Sequence, residues 1–224
     1  MSGAPVALVT GASRGIGKRL CADLAAAGYD VVCAARSTSD RPGKLPGTIE
    51  ATAKLVTDAG RRAWPVALDS PDEDAVRELV DRIFAEWGRL DLVVNNAAIA
   101  PEKPALQDTT KRWRLSVDVN VNGPFYLTYY AAPRMPGGRI LNISSLAAEA
   151  PQFGRPGYTV TKKALESLTE CMAVELRGRV AVNCLRLEVP VWTEGFEATL
   201  ADPSAWSFED PVIIVAHDLT PSDT

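Results

Sequence analysis

Short apolar runs alternate with stretches of helical periodicity along this chain, and that alternation constrains the fold more than any other feature. The runs are Val6 to Val9, Val31 to Ala34, Ala63 to Leu68, Leu90 to Val94, Arg139 to Ile143 and Val180 to Leu185. Each is brief and apolar at successive positions, the pattern of a strand buried on both faces of a parallel sheet. Between them lie helical patterns. The clearest follows Ser70, with Val76, Leu79, Val80, Ile83, Phe84 and Trp87 on one face. Ser70 is the expected N-cap, Pro71 the first helical residue, Glu73 the capping-box partner and Gly88 the stop. A second helix is expected from about Thr48 to Ala59, and others start near Arg14, Asp108 and Tyr158. Strand–helix alternation of this kind predicts an α/β fold, a doubly wound parallel sheet, in a single domain.

Composition narrows the partners. The 224 residues carry a formal net charge of −4 and the sequence pI is near 5.2, against a nucleic-acid surface, which calls for a basic stripe. One histidine, His217, and four cysteines without a C-x-x-C exclude zinc-ligand spacing, so no metal is expected. Cys21, Cys33, Cys171 and Cys184 sit in apolar segments and read as buried residues of a reducing compartment. The amino-terminal segment runs straight into a strand pattern without the regions of a signal peptide, and no apolar run reaches a membrane span. A cytoplasmic protein without a membrane partner is the expectation.

The turn after the first strand reads TGASRGIG, with Gly11, Gly15 and Gly17 at a strand-to-helix junction. Missing side chains let a backbone approach a pyrophosphate, and a helix N-terminus favours the anion. The same residues fit G-x-S-x-G, a nucleophile elbow with Ser13 as nucleophile and His217 as a late base. That reading fails on context, because the elbow needs an oxyanion-hole loop from an earlier strand and only ten residues precede Gly11. Arg36 ends the second strand, where an NAD site would carry an acid for the ribose 2′-hydroxyl; arginine suits the 2′-phosphate of NADP. Arg14, in the glycine turn, is a candidate second cation.

Tyr158 and Lys162 stand one helical turn apart in GYTVTKKAL. An ammonium beside a phenol favours phenolate and is expected to pull the tyrosine down toward neutral pH, where it can act as acid or base. Four motifs then stand in one order: TGASRGIG, NNAA from Asn95, NISS from Asn142 and YTVTK from Tyr158. Together they resemble the short-chain dehydrogenase/reductase family over roughly Pro5 to Leu185, and KLPGTI (Lys44 to Ile49) resembles its hydroxysteroid-dehydrogenase-like branch. The resemblance implies a Rossmann-like fold and hydride transfer between a nicotinamide cofactor and a carbonyl or secondary alcohol. It implies Tyr158 as acid/base with Lys162, Ser145 (thirteen positions before the tyrosine, rather than Ser144) placing the carbonyl, and Asn120 (rather than Asn122) holding a water that links the lysine to solvent. For the cofactor it implies Gly11, Ser13, Arg14, Gly15, Ile16 and Gly17, with Arg36 at the 2′-phosphate, Asp69 near the adenine, Asn95 beside the cofactor and steadying the central strands, and Lys162 at the ribose.

The chain departs from that family at three places. Ala98 stands where NNAG has glycine, a change that matters only if the backbone there needs positive φ. Leu187-Glu188 replace the Pro-Gly that follows the sixth strand, which leaves Val189 by backbone and Thr193 by side chain as candidates for the nicotinamide amide. The end, Pro211 to Val215 and HDLTPSDT, resembles neither the helix nor the strand expected there. Residues 187–210 are read as the substrate-loop region, where Trp192, Phe196, Trp206 and Phe208 stand among the acids Glu188, Glu194, Glu197, Glu209 and Asp210, which favours a neutral, apolar substrate over an anionic one. The expectation is an NADP(H)-dependent oxidoreductase, with NAD(H) the alternative cofactor and a dinucleotide-binding protein of little turnover the alternative function. Apolar residues on the helices near Asp108 and Tyr158, including Tyr126, Tyr129, Leu168 and Met172, together with the resemblance, imply a homodimer or homotetramer.

Overall fold

The structure, a computed structural model, describes residues 3–189 and 191–198. Trp206, Phe208, His217 and the 211–215 run lie outside the described residues, as does most of the expected loop beyond 198. Six strands form one parallel sheet: β1 (Val6–Thr10), β2 (Asp30–Ala35), β3 (Ala63–Ala67), β4 (Leu92–Asn95), β5 (Arg139–Ser145) and β6 (Ala181–Leu187), in the order β3-β2-β1-β4-β5-β6. The order reverses between β1 and β4, which pair directly, Ala7 beside Leu92 and Val9 beside Val94. A crevice opens at the carboxyl ends of such a pair, because the flanking connections leave in opposite directions.

Both sheet faces are covered, as the unbroken apolar runs require. Val6 and Leu8 enter one core with Leu79, Ile83, Leu127 and Ile140. Their neighbours Ala7 and Val9 enter the other with Leu20, Cys21, Val56 and Ile143. Period-two alternation thus feeds two layers. The helices on the second face are α1 (Gly15–Ala26) and α2 (Ile49–Asp58); on the first lie α3 (Glu73–Trp87), α5 (Gly123–Ala131) and part of α6 (Pro156–Glu175). A shorter α4 (Thr110–Val117) leads into a π turn over Asp118–Asn122. Pro65 is tolerated in β3 because that strand is an edge.

Two local expectations change. The N-cap of α3 is Asp72, whose carboxylate accepts from the Ala75 N–H at 3.0 Å, and not Ser70. Residues 69–72 first close a turn, Asp72 N–H to Asp69 O, and Ser70 is buried beneath Gly123, so Pro71 precedes the helix. At the other end Gly88 closes α3 in the left-handed conformation, as its position in the sequence suggests. Of the four cysteines, Cys21 and Cys33 are buried, but Cys171 is exposed and Cys184 half-buried, because α6 turns Cys171 outward and β6 is an edge strand. No helix among the described residues is long and apolar enough to cross a membrane.

Candidate active site

At the switch point between β1 and β4 lies an open cleft of about 470 Å³. Its floor is the glycine turn. Gly11 adopts φ 66°, and a β-carbon on Gly17 would sit 2.4 Å from Gly11 O and 2.5 Å from the Asn96 amide, so the turn closes only with glycine at both positions. Asn96, which the sequence reading passed over, fastens this turn. Its Nδ2 donates to Thr10 O at 2.8 Å, and its N–H and that of Ala97 donate to the Thr10 hydroxyl. The signal was the doublet Asn95-Asn96 itself, of which only the first was singled out. Asn95 does not reach the cleft. It is buried and donates to Asn142 Oδ1 at 2.8 Å, joining β4 to β5 behind the wall. Ala98 has no positive φ, so the missing glycine costs nothing there.

Ser13, Arg14, Gly15, Ile16 and Gly17 line one end of the cleft with Arg36 and Asp69. Arg36 is exposed, its Nε 3.8 Å from Asp69 Oδ1. Arg14 is committed elsewhere: Nε donates to Pro46 O at 2.9 Å, and Nη2 to Ser37 Oγ at 3.0 Å and Leu45 O at 3.1 Å. The expected second cation is therefore chiefly a clamp on the 37–47 loop, and leaves Arg36 as the outward-reaching cation there.

At the other end stand Tyr158 and Lys162, both on the cleft wall. Lys162 is buried; its Nζ donates to Ile143 O at 2.6 Å and lies 5.6 Å from the Tyr158 ring centre. Burial pushes its ammonium down from 10.5 to about 8. Tyr158 departs from expectation. Burial holds its phenol above the ordinary value, and the opposing hydrogen bond with Ser145 and the charge of Arg155 do not outweigh it. The Lys162 ammonium is hydrogen-bonded to the Ile143 carbonyl and not to the phenol. Ser145 is the serine beside the phenol, whereas Ser144 is buried and donates to Glu166 Oε1 at 2.8 Å. Glu166 is in turn held by both arms of Arg186 at 2.8 and 2.9 Å, and this hydrogen bonding keeps its carboxyl below the usual range.

Asn120 and Asn122 separate cleanly. Asn122 bonds Asp118 within the π turn, while Asn120 is buried. Asn120 Oδ1 accepts from the Ile99 N–H, and Nδ2 donates to Ile99 O and to Thr161 Oγ1, next to Lys162. With both amide hydrogens in use, a water could be held only through the second lone pair of Oδ1. In this structure Asn120 braces the cleft wall against α6. Beyond β6, Val189 is exposed and does not line the cleft; Leu187 and Thr193 do. The strand stays in register to Leu187, opposite Ser145, so the residue that stands where Pro-Gly is expected continues β6. Elsewhere Lys103 N–H donates to Gly154 O and Arg155 pairs with Glu102 at 3.1 Å, which joins the loop before α4 to the loop before α6; Leu106 and Phe153, in the same two stretches, are exposed.

Comparison with known proteins agrees with this geometry. The family model described as short chain dehydrogenase matches residues 5–198. The chain belongs to the short-chain dehydrogenase/reductase family. A short-chain dehydrogenase/reductase of Cladobotryum sp is 36% identical over 183 residues, covering 80% of this chain and 68% of that protein. Mouse hydroxysteroid dehydrogenase-like protein 2 is 35% identical over 79% of this chain, which spans only 37% of its length. A short chain dehydrogenase from Mycobacterium paratuberculosis, solved bound to NAD, superposes with a TM-score of 0.78 at 32% identity, covering 86% of this chain and 74% of that one. The six-stranded parallel Rossmann-like sheet of this chain, in one domain, matches that solved structure.

Proposed function

We propose that the chain is an NADP(H)-preferring oxidoreductase acting on a carbonyl or secondary alcohol, with Tyr158 as acid/base. The observation that carries this is the convergence of Tyr158, Lys162 and the Ser145 hydroxyl at one end of a cleft whose other end is a glycine turn opening a helix. The cleft suits a dinucleotide: a glycine turn that lines it opens α1, and Arg14 makes no side-chain cap there, so the first N–H groups of the helix have no capping acceptor from the residue that precedes them. The bound cofactor supplies the hydride. Gly11, Ser13, Gly15, Ile16 and Gly17 hold the diphosphate, Asp69 the adenine side and Thr193 the nicotinamide amide. Ser145 donates to the substrate oxygen and sets it beside the Tyr158 hydroxyl, which delivers the proton as negative charge develops. Lys162 anchors the ribose, and Asn120 positions its helix through Thr161. A phenol above its ordinary value is protonated at neutral pH and is there able to donate to a developing alkoxide. The substrate is neutral and apolar, in keeping with the aromatic residues and acids that the sequence carries after β6. Turnover of NADPH against a panel of neutral ketones and aldehydes tests the reading; no oxidation of NADPH by any of them overturns it.

NADPH preference follows from Arg36. A charge-assisted hydrogen bond to the 2′-phosphate is worth about 1.5–3 kcal/mol, roughly tenfold to hundredfold in affinity. Exposure of the side chain puts the effect at about tenfold. Arg36→Asp is expected to reverse the preference by losing the cation and repelling the phosphate. Equal dissociation constants for NADPH and NADH in the parent would reduce Arg36 to a surface residue.

The assembly is a homodimer through α4, α5 and α6, with the tetramer as the larger alternative. Leu115, Tyr129, Val160 and Val174 are exposed on these helices, and Tyr129 stacks edge-on against Tyr130. Tyr126, Leu168 and Met172, named with Tyr129 from the sequence, are instead partly buried, and Tyr126 and Met172 pack against the chain's own core. Light scattering at micromolar concentration is expected to give at least twice the chain mass; a clean monomer contradicts it.

A further inference from the structure

We infer that Glu194 is an internal competitor for the cofactor diphosphate, seated on the opening turn of α1 and displaced when a dinucleotide binds. The inference rests on the dinucleotide reading of the cleft. The first N–H groups of a helix lack intrahelical partners and carry its positive end. In α1 the preceding Arg14 offers no cap, since its side chain is turned to the 37–47 loop. Glu194 Oε2 takes that place, accepting from the Gly15 N–H at 2.9 Å from a point 179 residues further along the chain.

The contact is close as well as charged. A β-carbon on Gly15 would lie 3.0 Å from Thr193 Cγ2 and 3.8 Å from Glu194 Oε2. Thr193 and Gly195 line the cleft, and Glu194 itself lines the adjoining pocket beside Ile16, Lys18 and Arg19, so its carboxylate meets Gly15 from the outer side of the turn that both pockets share. Glu194 opens the short helix α7 (Glu194–Glu197), which Thr193 caps by accepting from the Phe196 N–H at 3.1 Å. That cap fixes the backbone at Thr193, while the Glu194 side chain can leave Gly15 by rotation about its own bonds.

A carboxylate and a diphosphate cannot share one N–H, and their like charges repel at this distance. The cofactor-free chain therefore holds residues 193–195 against the glycine turn through Glu194, and the dinucleotide must displace that carboxylate to reach the same N–H groups. The device sets cofactor affinity below what the glycine turn alone would give, equally for NADH and NADPH, because the diphosphate is common to both.

The test measures dissociation constants of the full chain for NADH and NADPH at low ionic strength, in the parent, Glu194→Gln and Glu194→Ala. Both variants are expected to bind both dinucleotides about threefold to thirtyfold more tightly, the range set by one charge-assisted hydrogen bond at a partly exposed site. The gain should shrink as salt is added. Unchanged or weaker binding in both variants, with the parent binding normally, overturns the competitor and leaves the dinucleotide reading standing. Failure of all three proteins to bind either dinucleotide removes the dinucleotide reading, and the competitor with it.

Discussion

Tyr158→Phe is expected to lower turnover by about 10²–10⁴-fold, the usual contribution of a positioned general acid, while changing the dinucleotide dissociation constant by less than about twofold. The asymmetry follows from geometry. Only the hydroxyl is removed; the ring keeps its place beside Lys162, whose Nζ is held by Ile143 O and not by the phenol. Ser145 loses its partner but remains at the end of β5, where its backbone is fixed opposite Leu187. Burial raises the phenol, so in the parent ketone reduction should hold level through neutral pH and fall only in alkaline solution, as the donor proton is lost. Alcohol oxidation, which needs the phenolate, should rise over the same alkaline range. Steady-state rates in both directions, with a cofactor titration of each protein, check this. Near-normal reduction by the phenylalanine variant would remove Tyr158 from the proton step.

Much of the frame was legible because it rests on local patterns. Val6 to Val9 and Val31 to Ala34 could only be strands buried on both faces, and Gly88 after an amphipathic run could only be a helix stop. The order TGASRGIG, NNAA, NISS, YTVTK likewise located the cleft before any fold was known. What escaped the sequence depends on how side chains spend their hydrogen bonds. Arg14 looked like a phosphate ligand, but three acceptors from a loop 23 to 32 residues away claim it. Asn95 was expected both beside the cofactor and as a brace of the central strands; its bond to Asn142 on the neighbouring strand makes it the brace, and Asn96 takes the turn. The Tyr158–Lys162 spacing implied a lowered phenol; the opposite shift follows from burial, which is not visible in a string of letters. Glu194 meeting Gly15 is a contact no spacing rule could anticipate.

Lys162→Met is expected to abolish turnover and yet to stabilise the cofactor-free fold at neutral pH. The lysine is buried, and its ammonium is pushed from 10.5 down to about 8, so folding takes up the charged form at a disadvantage. The sign follows directly. A group whose folded pKa is depressed favours the fold fully above its unfolded pKa, and that contribution is lost as pH falls through the folded value. At pH 7 the charged lysine therefore opposes folding by about 3 kcal/mol, from about 1.4 kcal/mol per pH unit between the two values. Methionine removes that penalty but leaves Ile143 O without its donor, a loss of about 1–3 kcal/mol. The net gain is about 1 kcal/mol, or about 2–4 °C in a domain of this size. As pH rises from 8 toward 10.5 the parent's lysine becomes neutral, the penalty disappears and only the lost hydrogen bond remains, so the variant should become the less stable of the two. Thermal melts of both proteins from pH 6 to 10, without cofactor, read the crossing. A variant less stable than the parent by the same margin at every pH would mean that Lys162 is not held at a disadvantage in the cofactor-free fold. A crossing near pH 8–9 would mean that the chain keeps a destabilising buried cation where the chemistry needs one.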